Sequence, residues 1–249
     1  MGSRSMIDAE PLQNRGPPRR LYASSDIHSP HYLLPFKSSL KTVRECCIFM
    51  LAGDIVDRGN VAAAEPVFKA IREVSPGSVI VAVFGNEEYH EREDLFRKRY
   101  RDIIWLDDEY QVFQCGEKRI AIVGTRGALE KLTSWQKRNM PWLRRVYNER
   151  PKIVANLIAE ARKEADHVIL LSHYALSRET IKGENPAVWP HLYHPGMEEV
   201  VKSLKPDAAV HGHAHRGKPK AFVAGVPVYN VAFPLNRAPV RIAIQTRLF

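Results

Sequence analysis

The stretch Cys46-Cys47-Ile48-Phe49-Met50-Leu51-Ala52-Gly53-Asp54-Ile55-Val56-Asp57-Arg58-Gly59 decides the fold of this chain. Its first seven residues are apolar or small with no polar alternation, the pattern of a strand buried on both faces, as in a parallel sheet. The Gly53-Asp54 step ends the run and sets a carboxylate just beyond the strand's carboxyl end. Upstream, Leu21 to Ser25 ends in the same manner at Asp26-Ile27-His28. Downstream, Val79 to Phe84 ends at Gly85-Asn86, Val168 to Leu171 at Ser172-His173, and Ala208 to His211 at Gly212-His213-Ala214-His215. Between the second and third runs, Val61 to Val74 reads as a helix, with Val67, Phe68 and Ile71 on one face. Further strands are predicted at Ile120 to Val123, Val226 to Val231 and Val240 to Thr246. Strands alternating with helices place the chain in the α/β class. Ligands in such sheets lie beyond the carboxyl ends of the strands, so five strands closing on Asp, Asn or His mark one site.

The residues at those ends are Asp26, His28, Asp54, Asn86, His173, His213 and His215. They offer carboxylate and amide oxygens and imidazole nitrogens, without a thiolate. Such donors suit Mn²⁺, Fe, Zn²⁺ and related divalent ions. Seven donors exceed the needs of one tetrahedral site, whereas two ions sharing a carboxylate would use them all.

In series, Asp26-Ile27-His28, Gly53-Asp54 to Gly59, Gly85-Asn86, Ser172-His173 and Gly212 to His215 resemble the five signature blocks of the calcineurin-like metallophosphoesterases. The resemblance implies two mixed β-sheets packed as a sandwich flanked by helices. It also implies two divalent transition-metal ions, Mn first among them, with Fe, Ni, Co or Zn as alternatives. By matched position, Asp26, His28 and His215 would hold one ion, Asn86, His173 and His213 the other, and Asp54 would bridge them. The implied activity is hydrolysis of a phosphoric ester by a metal-bridged hydroxide, without a covalent protein nucleophile. Arg58 would contact a substrate phosphate, for which a guanidinium fork is suited.

One position departs from the family pattern. Its third block reads Gly-Asn-His followed by an acid, and that His protonates the leaving group; here the block is Gly85-Asn86-Glu87-Glu88. A glutamate of ordinary pKa, about 4.3, is ionised at pH 7 and is a poor acid. Glu87 and, three residues on, His90 are the candidate proton donors. The lost imidazole points toward phosphodiesters, whereas Asp57, which orients that His in the family, loses its implied partner. Tyr174 follows a proposed ligand and either borders the substrate or packs. His211 reads as packed, and His31, His191 and His194 as surface residues.

The chain carries 37 Lys and Arg against 28 Asp and Glu, a formal charge of +9. The excess concentrates between Lys131 and Glu164, where nine cations face three carboxylates, a local charge of +6. Within this segment, read at 129–166, the apolar period predicts helix, and Pro151 is expected to split or kink it. Interleaved Trp135, Trp142 and Tyr147 pack on the core in one reading and stack on bases in the other. Nucleotides or nucleic acids therefore stand among the candidate phosphoester partners. The rival functions are a nuclease working through this segment and a non-catalytic interaction module on the same fold.

Hydrophobic content of 45% excludes disorder throughout. Residues 1–20, with Gly, Ser, Pro and Arg and no apolar period, read as a flexible basic arm ahead of one domain at 21–249. No run approaches the roughly 20 apolar residues of a membrane span, and no signal-peptide core is present. Three cysteines, read as unpaired, fit a reducing compartment and a cytoplasmic setting.

Overall fold

The first three motif-bearing runs become neighbouring parallel strands, and the last two lie in a second sheet. The computed structural model describes residues 20–244, so nearly all of the basic arm and the end of the last predicted strand lie outside the described residues. The strands are β1 (Arg20–Ser24), β2 (Cys46–Ala52), β3 (Val79–Val83), β4 (Ile104–Trp105), β5 (Glu109–Cys115) and β6 (Lys118–Thr125). They continue with β7 (His167–Ser172), β8 (Ala208–His211), β9 (Lys220–Val223), β10 (Val226–Asn230) and β11 (Val240–Ile242). The α-helices are α1 (Leu33–Ser39), α2 (Glu65–Val74), α3 (Glu93–Arg99), α4 (Ser134–Asn139), α5 (Leu143–Glu164), α6 (Pro195–Leu204) and α7 (Phe233–Asn236).

One sheet runs β11-β1-β2-β3-β4 and the other β5-β6-β7-β8-β10-β9. Strands β1 to β4 pair in parallel, with β11 antiparallel at the edge. In the second sheet β6, β7, β8 and β10 are parallel, and β5 and β9 are antiparallel edges. The two mixed sheets face each other through Ala23, Met50, Val81 and Val83 on one side and Ile122, Ile169, Leu171 and Val210 on the other. Helices α1, α2 and α3 cover the outer face of the first sheet through Phe36, Phe68 and Phe96. Helices α5 and α6 cover the second through Val154, Ile158, Met197 and Val201. This is the sandwich that the signature blocks imply.

Three features differ from the sequence expectation. Pro151 does not split the helix: it lies inside α5, which runs unbroken for 22 residues. The proline forfeits one backbone hydrogen bond, but burial of Tyr147, Val154 and Ile158 holds the helix on both sides of it. The break falls at Met140 to Trp142, where Pro141 stands. Residues Val61–Ala64 form a 3₁₀ turn that leads into α2 rather than its first α turn. Finally, Cys47 is joined to Cys115 across the two sheets, with Cα atoms 6.0 Å apart. That pair corrects the reading of three unpaired thiols and removes the cysteine argument for a reducing compartment. Cys46 stays free, its thiol pushed up to about 12 by burial.

Four of the nine cations of the basic segment are engaged within the protein, so it is only in part a free cationic face. Arg150 is buried and spent on Asp108 (2.9 Å) and the Gly127 carbonyl (2.6 Å). Arg145 pairs with Glu149 and Lys163 with Glu160, while Arg162 donates to the Leu204 and Lys205 carbonyls. Of its aromatics, Tyr147 is buried, whereas Trp135 and Trp142 are 58% and 56% exposed. Among the described residues no helix is long and apolar enough to cross a membrane.

Candidate metal centre

All five motifs meet where the carboxyl ends of β1, β2, β3, β7 and β8 converge. Asp26 and Asp54 each stand two residues beyond their strand, His173 one beyond β7, and His213 two beyond β8. The loops are tied to each other: Asp26 N–H donates to the Gly53 carbonyl and His28 N–H to the Asp54 carbonyl, both at 3.0 Å. Asp26, His28, Asp54 and His213 all adopt left-handed backbone, with φ of 53°, 44°, 49° and 68°. Each such non-glycine residue costs about 1 kcal/mol or more, and concentration of that strain at one place is a mark of a functional site. Gly53 has φ +81°, and a Cβ there would lie 2.7 Å from both the Gly85 backbone and His173 Nδ1. Only glycine lets these two loops touch.

One ligating atom from each of Asp26, Asp54, His173 and His213 lies within 4.8 Å of the others. Asp26, His28 and His215 form a second such group. Asp54 faces both sets, with Oδ2 3.9 Å from His28 Nε2 and Oδ1 3.5 Å from His173 Nε2. Asn86 Oδ1 lies 3.1 Å from His173 Nε2. The structure thus brings the seven strand-end residues into one cluster.

The hydrogen bonds fix which nitrogens are free. His173 Nδ1 donates to the Ala52 carbonyl at 2.9 Å, and burial pushes its pKa well below the ordinary value, so its Nε2 carries a bare lone pair. His213 Nε2 donates to the His191 carbonyl at 3.3 Å, which leaves Nδ1 bare. His28 Nδ1 lies 2.9 Å from Asp57 Oδ1, which leaves Nε2 bare. Three imidazoles are therefore each held by the nitrogen that faces away from the cluster, the arrangement of metal-ligating histidines. Burial, with the nearby Glu88 and Asp26 carboxylates, pushes the Asp54 carboxyl well above the usual range. His215 Nε2 lies 3.0 Å from Asp26 Oδ1, and the bare lone pairs of the other imidazoles with the crowded Asp54 carboxyl form a donor set that divalent cations fit.

Four contributors escape the motif reading. Glu88, fully buried, accepts backbone N–H groups from Asp54 (2.8 Å), Ile55 (2.6 Å), Val56 (3.1 Å) and Gly85 (2.7 Å). Arg126, also buried, donates to the Gly85 carbonyl at 2.7 Å and to Glu93. It follows β6, a sixth strand end, which is the signal that could have found it. His191 supplies its carbonyl to His213 and lines the cleft. Asp57, deprived of its implied partner, instead orients His28. Asp57→Asn is expected to weaken metal affinity about 10–100-fold; metal titration checks it, and unchanged affinity would show that Asp57 does not position His28.

Of the remaining candidates, Glu87 donates its N–H to Asp54 Oδ1 at 2.8 Å, and its Oε2 accepts the Arg58 N–H at 2.8 Å. The Arg58 side chain is exposed and lines a shallow groove with Arg92, Lys98 and Arg99. His90 Nδ1 lies 2.8 Å from Glu93 Oε1. Tyr174 is buried, with its ring centroid 4.9 Å from that of His213. His211 is packed, bonded to Thr180 Oγ1 at 2.7 Å.

Residues 19–217 match the family model described as calcineurin-like phosphoesterase, and the chain belongs to that family. It is a metal-dependent phosphoesterase. No curated protein matches the chain. Among solved structures, the phosphopantetheinyl hydrolase PptH from Mycobacterium tuberculosis is 16% identical, with 86% of this chain and 89% of that chain covered and a TM-score of 0.58. TT1561 of Thermus thermophilus is 12% identical over 91% of this chain and 99% of that one, with a TM-score of 0.56. A putative 5'-nucleotidase from Staphylococcus aureus is 12% identical over 84% of this chain and 48% of that one, with a TM-score of 0.54. These likenesses show the fold alone.

Proposed function

We propose that the chain hydrolyses phosphodiesters at a centre of two divalent cations. Asp26, His28 and His215 would hold one ion, Asn86, His173 and His213 the other, and Asp54 would be shared between them. When bound, two such cations polarise phosphoryl oxygens and lower the pKa of a water nucleophile. The protein's own part is to hold the donors. Backbone strain, the Glu88 clasp and the bonds to Ala52, Asp57 and His191 all serve that end.

The observation that carries the diester reading is the setting of Glu87. In place of the family's imidazole stands a carboxyl whose Oε2 is tied to the Arg58 N–H at 2.8 Å, so no imidazole is offered at this position to give a proton. His90 is engaged with Glu93. Without a proton donor a poor alkoxide leaving group is the one most disfavoured, and diesters with good leaving groups are tolerated best. The partial consumption of charge in α5 weighs against a nucleic-acid track along that helix.

The test is a pair of substrates on Mn²⁺-reconstituted protein, bis(4-nitrophenyl) phosphate against an alkyl monoester, glycerol 2-phosphate, whose alkoxide needs a proton to leave. Preference for the diester is expected, and Glu87→His should raise the monoester-to-diester ratio about tenfold or more. An unchanged ratio would remove Glu87 from the explanation. Failure to take up any of Mn, Fe, Ni, Co or Zn would overturn the dinuclear reading.

A further inference from the structure

A cavity of about 500 Å³ opens directly on the cluster and shares Asn86 and His213 with it. That volume lies within the about 300–1,000 Å³ of small-molecule sites. A phosphoryl group seated on the cluster must send one ester arm into this cavity or past its mouth. The walls toward the helical segment are Leu129, Trp135, Met140, Leu143, Tyr147 and Tyr174. Leu129, Leu143, Tyr147 and Tyr174 are buried, while the indole of Trp135, 58% exposed, stands at the rim. A large exposed ring beside an apolar cavity, with no ring partner among the described residues, is an open stacking surface.

The walls are built, not incidental. Thr133 and Gln136 form a capping box at the start of α4. The Gln136 side-chain amide then donates to Tyr147 Oη at 3.2 Å, and Tyr147 lies 3.4 Å from Tyr174 Oη. The aromatic rings are thus locked to α4 and α5 before any ligand arrives.

Charge narrows the choice of arm. Glu87 and Glu91 also line the cavity. Arg126, the one guanidinium among the described lining residues, is committed to Gly85 and Glu93. A second phosphate in the cavity would meet two carboxylates and no free guanidinium or ammonium, a repulsive setting.

Taking the phosphodiesterase reading as its basis, we infer that the substrate carries a flat, apolar, uncharged group, of aryl or nucleobase size, on the phosphoester. That group is bound between Trp135 and the Leu143, Tyr147 and Tyr174 wall. The class excludes arms that continue as further phosphates.

The test is titration calorimetry of Mn²⁺-loaded protein with methylphosphonate, 1-naphthylmethylphosphonate and 3-phosphonopropionate, a readout that needs no turnover. The naphthyl compound is expected to bind at least about tenfold tighter than the methyl compound. The carboxylated arm is expected to give no gain. Leu143→Trp, which fills the cavity, should cut the naphthyl advantage to within about threefold; Met140→Trp serves the same purpose should the first variant fail to fold by circular dichroism. Equal affinities for the methyl and naphthyl compounds, tighter binding of the carboxylated arm than of methyl, or an advantage that survives cavity filling would each overturn the inference and leave the phosphoesterase reading intact. Binding of none of the three would overturn that reading, and the inference with it.

Discussion

Asp54→Asn is expected to lower phosphodiester turnover by on the order of 10³-fold and at the same time to raise the melting temperature of metal-free protein. The two effects have one cause. Asp54 is buried beside the carboxylates of Asp26 and Glu88, and its own carboxyl is pushed up by that burial and by those neighbours. In the metal-free state it is an acceptor crowded among acceptors, with His28 Nε2 at 3.9 Å and His173 Nε2 at 3.5 Å. An amide removes the ionisation that burial penalises and keeps Oδ1 for the Glu87 N–H. Replacement of a buried acid whose ionisation is penalised by an amide that never ionises relieves about 1–2 kcal/mol, or about 2–8 °C in a chain of this size. With Mn²⁺ present the order should invert, because the wild type alone gains the full binding free energy of both ions. Calorimetric melts with and without Mn²⁺ check this. If the variant melts lower in both states, Asp54 is a structural acid and not a metal ligand.

What could be read from the sequence follows from the range of the interactions. The motif strands were legible because their runs are uniformly apolar, and each ends on a polar residue that the sheet places at one edge. Strand β5 (Glu109–Cys115) was not, since it is an edge strand with polar residues at Glu109, Gln111 and Gln114. Strands β4 and β9, of two and four residues, are too short to show a period. A split at Pro151 does not occur because burial on both sides of it, of which local helix rules take no account, holds the helix. The pairing of Cys47 with Cys115 spans 68 residues and depends on how two sheets face each other. The seven strand-end donors share one local signature, whereas the residues that hold them do not. Asp57, Arg126 and His191 act through hydrogen bonds to distant chain segments, and only the fold reveals those.

Glu88 is the strongest case, and Glu88→Ala is expected to destabilise the metal-free protein by about 3–5 kcal/mol. Burial pushes this carboxyl up to about 7, against the pull of the Gly85, Val56 and Asp54 N–H groups and of Arg126. Four N–H donors converge on it, two on each oxygen: Ile55 and Val56 on Oε1, Asp54 and Gly85 on Oε2. Alanine leaves all four unpaired in a site closed to water. Glutamine offers no full rescue, because its NH₂ would face two N–H donors; about half the loss should remain. The melting temperature should fall by about 6–20 °C for alanine, and hydrogen exchange at Ile55 and Val56 should accelerate before global unfolding. Oε2 also clamps the Gly53-Asp54 turn to the Gly85-Asn86 turn, so metal affinity should fall along with stability. Opposite signs of the metal-free melting shift, upward for Asp54→Asn and downward for Glu88→Ala, would separate a residue that binds the cation from one that shapes the loop. A Glu88→Ala protein that melts like the wild type would mean that the β2 and β3 turns hold each other without this carboxylate.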